Sequence, residues 1–309
     1  MFEEKIIIGE KGEYPLNGIL SLPDNTNSAV SALVLVHGSG STDMDETVGG
    51  NKPFRDIAKY LPTKGIAVLR YDKRSFVHWK KMLKQGISYI TVKNEAIDDA
   101  ILAANFLRAD SRINQDKIFI FGHSLGGMLA PRIDAEGGNF AGLLLGAGSP
   151  RILTDIMISQ NEEIIPQLGL LSRIFVKRQY KKLKAKFDML EKITEDEAKK
   201  IEFLGGISLW YLKEMSDHPT SNYLKAIEKP VLILHPEKDL HVSKEKDFEL
   251  YKKICAGKQN IQFKLYPELN HLFMKSIYSK IKDLQKEYKI PQNVDLTVLE
   301  DISQFILKN

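Results

Sequence analysis

The chain has 309 residues, 43% of them apolar and 27% charged, a balance that excludes a disordered or fibrous protein and allows one large domain or one domain with a sizeable insertion. The 44 basic and 40 acidic side chains leave a formal charge of only +4, which gives no reason to expect a nucleic-acid partner. The single cysteine, Cys255, excludes an internal disulfide and fits a reducing compartment. The opening MFEEKIIIGEKG is acidic where a secretory signal would be basic, so a cytoplasmic protein without stable membrane insertion is expected.

Short apolar runs set the rhythm of the chain. Residues 6–8 (III) and 18–20 (GIL), separated by the turn-prone Gly12, Pro15 and Asn17, predict two strands of an opening hairpin-like unit. Residues 32–36 (ALVLV) are uninterruptedly apolar, as a strand buried on both faces requires. Phe54, Ile57, Ala58 and Leu61 then fall on one helical face, and residues 66–69 (IAVL) predict a further strand. A second helical face follows at Ala96, Ile97, Ala100, Ile101, Ala104 and Leu107. The runs at 118–121, 141–145 and 231–234 repeat the buried-strand pattern, whereas 261–265 (IQFKL) alternates and predicts a strand nearer the sheet edge. Alternating strands and helices predict the α/β class, with a mostly parallel sheet covered on both sides.

From about residue 152 to 218 the rhythm breaks. No clear strand is predicted there, and Arg173, Lys177, Arg178, Lys181, Lys182, Lys184 and Lys186 follow one another with no acidic residue between them. A solvated helical surface is the plainest reading of that run, and a basic lid drawing anionic substrates or a lipid surface is the sharper one. No repeat or low-complexity linker separates independent domains. Residues 151–218 therefore read as a helical insertion into one domain built from 1–150 and 219–309.

The chemistry gathers around Gly122-His123-Ser124-Leu125-Gly126. A buried strand pattern leads in, and an apolar helical pattern (Leu125, Met128, Leu129, Ile133) leads out, which is the strand–turn–helix setting of a nucleophile elbow. Gly122, Gly126 and Gly127 relieve crowding at such a turn, and the serine sits where helix N–H groups favour negative charge. A nucleophilic serine needs a base. Of seven histidines, His271 in YPELNHLF follows the last strand pattern, on the side where the carboxyl ends of parallel strands open. His37 closes a strand, His123 is held by the turn, His218 belongs to the insertion, and His235 and His241 flank one loop; His78 is the strongest competitor. The orienting acid is Glu237 or Asp239 in HPEKDLHV, and spacing leaves both open. His37-Gly38-Ser39-Gly40 supplies an oxyanion loop, with the amides of Ser39 and Leu125 as donors. Asp43, Asp45 and Glu46 invite a metal reading, but acids readily cap turns and serine chemistry needs no metal, so no metal or cofactor is expected.

Taken together, HGSGSTDMDE (37–46), RYDKRS (70–75), GHSLGG (122–127), HPEKDLHV (235–242) and LNHLF (269–273) resemble the α/β-hydrolase superfamily. The chain is most similar to bacterial serine esterases of the branch related to serine aminopeptidases and acyl-ester hydrolases, from about residue 15 to about residue 307. That resemblance implies an α/β-hydrolase fold with a helical cap at 151–218. It also implies a Ser124–His271–Asp239 triad, favouring Asp239 over Glu237, and a small to medium acyl ester as the small-molecule substrate. Two departures stand out: relatives usually carry glycine at His235 or Pro236, and many follow Arg74 with glycines where this chain has SFVHW. A peptidase or amidase anchoring an amino terminus on Glu162-Glu163, a lysophospholipase or thioesterase using the basic run, and a non-catalytic binding member are the other readings. Nothing in the pattern sets an oligomeric state.

Overall fold

Strands β1 (Phe2–Ile8) and β2 (Leu16–Leu22) open the chain as an antiparallel pair in the computed structural model, which describes residues 1–24, 28–86 and 88–309. Next come β3 (Val30–Val36), α1 (Pro53–Tyr60), β4 (Ala67–Tyr71), α2 (Arg74–Lys84) and α3 (Asp98–Arg108), then β5 (Ile113–His123), α4 (Leu125–Ile133) and β6 (Gly142–Gly146). A long excursion holds α5 (Leu153–Ile164), α6 (Leu170–Phe187), α7 (Glu195–Lys200), β7 (Glu202–Leu204), β8 (Ile207–Ser208) and α8 (Trp210–Asp217). The chain ends with α9 (Thr220–Ala226), β9 (Val231–Pro236), α10 (Glu249–Ile254), β10 (Ile261–Tyr266), α11 (Leu284–Glu287) and α12 (Leu296–Lys308).

The main sheet has eight strands in the order β1-β2-β4-β3-β5-β6-β9-β10. Every pairing from β4 to β10 is parallel, and β10 lies at the edge, as its alternation predicts. Side-chain alternation divides the core in two. Leu33, Leu35, Phe119 and Phe121 pack with Phe54 of α1 and Ile302 and Phe305 of α12, while Val34, Val36, Ile118 and Ile120 pack with Ala100 of α3 and Leu129 of α4. Both faces are thereby covered, which explains why the central strands read as unbroken apolar runs.

Register decides where function can sit. Val36 lies opposite Gly122, His123 opposite Gly146, Gly146 opposite Leu234, and Pro236 opposite Tyr266. The carboxyl ends of β3, β5, β6, β9 and β10 are therefore level, and their loops emerge side by side.

The excursion corrects one expectation. Residues 152–218 are not wholly without strands, because β7 and β8 form a small antiparallel pair, Glu202 opposite Ser208 and Leu204 opposite Ile207. Gly205 and Gly206 turn between them at φ 56° and 89°, the left-handed values that a two-residue hairpin demands. Strands this short leave no alternation to detect; only the Gly-Gly pair inside FLGGIS signals the turn.

Candidate active site

Ser124 stands between β5 and α4 with φ 53° and ψ −114°, a conformation that costs a non-glycine residue about 1–3 kcal/mol. Its N–H donates to the Gly146 carbonyl at 2.8 Å, and its own carbonyl accepts from Met128 N–H at 3.1 Å, so the turn is held from both sides. A Cβ on Gly122 would overlap the Gly126 carbonyl, and one on Gly126 would overlap the Val36 carbonyl. These two positions take glycine because backbone passes where a side chain would be.

On the neighbouring loops, His271 Nδ1–H donates to Asp239 Oδ2 at 2.6 Å, with both residues buried. The other carboxylate oxygen of Asp239 accepts the N–H groups of His241 (2.7 Å) and Val242 (3.0 Å), which fixes the plane of the acid. Glu237, the alternative from sequence, is half-buried and paired with Lys244. His271 and Ser124 share the wall of one cavity of about 790 Å³. The Ser124 hydroxyl makes no hydrogen bond to the imidazole among the described residues. Catalytic contacts of this kind often close only around substrate.

The His271 ring lies between two others, its centroid 4.8 Å from that of His123 and 4.7 Å from that of His241. Burial pushes His271 well below its ordinary value, and the charge of His123 adds to this. Burial, then the proximity of His271, pushes His241 down to about 4, and its Nε2 lies 3.0 Å from the Tyr288 hydroxyl. A neutral imidazole oriented by a buried carboxylate can take a proton from a hydroxyl.

His123 differs from its neighbours. Its Nε2–H donates to the His271 carbonyl at 2.9 Å, while its Nδ1 faces Glu46 Oε2, also at 2.9 Å. Both ring nitrogens thus face acceptors. Burial works against the charge on each partner, yet mutual attraction prevails, holding His123 above and Glu46 below their ordinary values. The second oxygen of Glu46 accepts Gly38 N–H at 2.7 Å, so one buried carboxylate joins the elbow to the loop after β3. With the Gly38 amide engaged, Ser39 is the next residue along that loop, and Ser39 and Leu125 both line the cavity.

The RYDKR segment braces this loop. Arg70 Nε–H donates to Asp45 at 3.0 Å, Asp72 accepts Met44 N–H at 2.9 Å, and Lys73 Nζ donates to the Gly38 and Gly40 carbonyls at 3.0 and 2.9 Å. Lys73 also pairs with Glu95 at 3.4 Å, and Glu95 accepts the Tyr211 hydroxyl of α8 at 3.0 Å. Asp43 accepts the N–H and hydroxyl of Thr47 and thus caps its own turn. Glu46, Lys73 and His241 escape the sequence reading. All three lie inside motifs already singled out, but nothing in their spacing reveals which distant groups they reach.

The remaining candidates fall elsewhere. His78 lies 2.7 Å from the Pro15 carbonyl through Nε2 and is off the cavity wall, although Phe76 and Trp79 from the same SFVHW stretch line it. Glu162 accepts the Tyr180 hydroxyl and Glu163 pairs with Lys246, and neither lines the cavity.

A family profile described as serine aminopeptidase, S33, matches residues 28–276. The chain belongs to this family of α/β-hydrolases. This hydrolase is 34% identical over 302 residues to Esterase EstD of Thermotoga maritima, covering 97% of its own length and 68% of that relative's. Among solved structures, it is similar in fold to the Pyrococcus furiosus esterase Pf2001, with a TM-score of 0.59 and 17% identity over 99% of this chain and 91% of that one. Est1E from Butyrivibrio proteoclasticus gives a TM-score of 0.58 and 16% identity, covering 98% of each chain.

Proposed function

We propose that this hydrolase is a carboxylic ester hydrolase working through Ser124, His271 and Asp239 by way of an acyl-enzyme. The observation that carries the reading is the 2.6 Å Asp239–His271 hydrogen bond beside a cavity that Ser124 shares. His271 takes the Ser124 proton as Oγ attacks the ester carbonyl, and Asp239 holds the tautomer and steadies the imidazolium. The amides of Ser39 and Leu125 receive the oxyanion, each worth about 3 kcal/mol in the transition state. His271 then returns the proton to the leaving alkoxide, and the same base activates water against the acyl-enzyme.

Residues 151–218 act in this reading as a cap that shapes the substrate site. Leu153, Ile156 and Met157 of α5, Phe203 and Leu204 of β7, and Leu212 of α8 give the cavity an apolar wall. At about 790 Å³ it lies within the range of small-molecule sites and suits a small to medium acyl group. Amide cleavage has less support, because Glu162 and Glu163 are occupied away from the cavity.

A screen of p-nitrophenyl esters of graded chain length, aminoacyl anilides and acyl thioesters tests the reading. Short and medium esters are expected to turn over fastest, and a fluorophosphonate probe to label the protein stoichiometrically. Faster anilide cleavage would move the enzyme to the peptidases. Inertness to all three classes and to the probe would leave a non-catalytic binder.

The pH profile gives a further expected result. Only neutral His271 accepts the serine proton, so activity falls as pH drops through its pKa. Burial holds that pKa well below 6.5, and the acid limb of kcat/KM therefore falls below pH 6.5. A limb above that value would contradict the desolvated base.

A further inference from the structure

Helix α6 (Leu170–Phe187) carries an arrangement that the reaction does not use. Its less exposed positions, Val176, Tyr180, Leu183 and Phe187, repeat at helical spacing and turn toward the protein. On the opposite face, the first two turns present Leu170, Leu171, Ile174 and Phe175, which are 73%, 84%, 61% and 64% exposed. Large apolar side chains this exposed and this contiguous have no role in a solvated surface. Farther along the same outer face come Lys177, Arg178, Lys181 and Lys182, without an acidic partner among the described residues. The helix is thus apolar at its N-terminal end and basic along its middle.

We propose that α6 is a docking surface for an anionic lipid bilayer, with its apolar end set among the acyl chains and its basic turns at the headgroups. An 18-residue helix is about 27 Å long, so its two ends can occupy different depths of a tilted interfacial contact. The four cations lie within one or two turns of the apolar end, where a negative headgroup layer would surround them. Among the described residues, no helix is long and apolar enough to cross a membrane, so the contact is peripheral. A second copy of the chain is a poor occupant, because pairing two α6 helices would oppose two stretches of cations with no acid in either. Nucleic acid would satisfy the cations and leave the four apolar side chains in water.

The helix also reaches the cavity. Lys186 Nζ donates to the Glu202 carbonyl at 2.7 Å, and the Phe187 ring centroid lies 6.2 Å from that of Phe203, which lines the cavity wall. Docking through α6 would set the β7–β8 side of the cavity close to the lipid. The surface stands on its own exposure and charge, independently of the substrate assignment.

Co-sedimentation of the full chain with phosphatidylcholine vesicles, and with vesicles of equal parts phosphatidylcholine and phosphatidylglycerol, tests this. The wild type is expected to bind the anionic vesicles, more weakly in high salt, and to bind the neutral ones poorly. Two exposed-surface variants, Leu171→Asp with Ile174→Asp and Lys181→Glu with Lys182→Glu, are each expected to lower the anionic partition coefficient about tenfold or more. Unchanged circular dichroism and thermal unfolding would show that both variants fold. Absence of wild-type binding would overturn the proposal. So would apolar variants that bind as well as wild type, which would indicate electrostatic adsorption alone. A solution dimer dissolved by the apolar variant, with no vesicle binding, would assign the surface to a second copy.

Discussion

Replacing Ser124 with alanine lowers ester turnover by roughly ten-thousand-fold to a million-fold, the range seen when a serine nucleophile is removed and binding and the oxyanion donors remain. The variant should fold. Alanine keeps the Cβ, which sits in the narrow space facing Gly38, and it carries the same φ of 53° as the serine, so the strain of the turn is unchanged. Purified protein assayed with a p-nitrophenyl ester, alongside a thermal unfolding curve, separates the two quantities. The fluorophosphonate probe must also fail on this variant. Full labelling of the alanine protein would place the nucleophile elsewhere.

Asp239→Asn should cost about ten-thousand-fold in kcat, while Glu237→Gln should leave kcat within about twofold. The asymmetry follows from hydrogen-bond direction. Asp239 Oδ1 accepts the His241 and Val242 amides, and an asparagine oxygen can still do so, which keeps the loop in place. The asparagine NH₂ must then face His271 Nδ1, where the carboxylate now accepts at 2.6 Å. Nδ1 becomes the acceptor, Nε2 carries the proton, and the imidazole presents N–H to the serine instead of a lone pair. Glu237 has no such lever, because among the described residues its partially exposed carboxylate pairs with Lys244 and not with His271. Crippled Glu237→Gln beside a near-normal Asp239→Asn would transfer the orienting role.

The fold was largely legible because both faces of the sheet are buried. Continuous apolar runs such as 32–36 and 118–121 have few other uses, and the helices between them show one clean face each. The β7–β8 hairpin was hidden because strands of three and two residues carry no period. Around the site, Ser124 and His271 could be singled out from strand-end position, and the structure brings both to one cavity. Spacing alone left Asp239 and Glu237 open, the resemblance favoured Asp239, and the structure pairs Asp239 with His271. Two residues on one turn differ in direction by its exact path, here set by Asp239 N–H donating to the Pro236 carbonyl at 3.3 Å. Glu46, Lys73 and His241 were illegible for a different reason. Each acts on a group far away in sequence, and buried polar partners of that kind leave no local pattern.

The chain of contacts from Lys73 to Tyr211 ties one wall of the cavity to the loop beside the nucleophile. Tyr211 is anchored to Glu95, Glu95 to Lys73, and Lys73 to the Gly38 and Gly40 carbonyls. Swinging α8 outward as a rigid door would strand buried hydroxyl and carboxylate groups, at about 1–3 kcal/mol apiece. It would also strip a hydrogen-bond partner from Glu95, the carboxylate paired with the lysine that braces the glycine loop. Helix α8 is therefore tethered to the floor of the site, and moving it would disturb the wall and the floor of the cavity together.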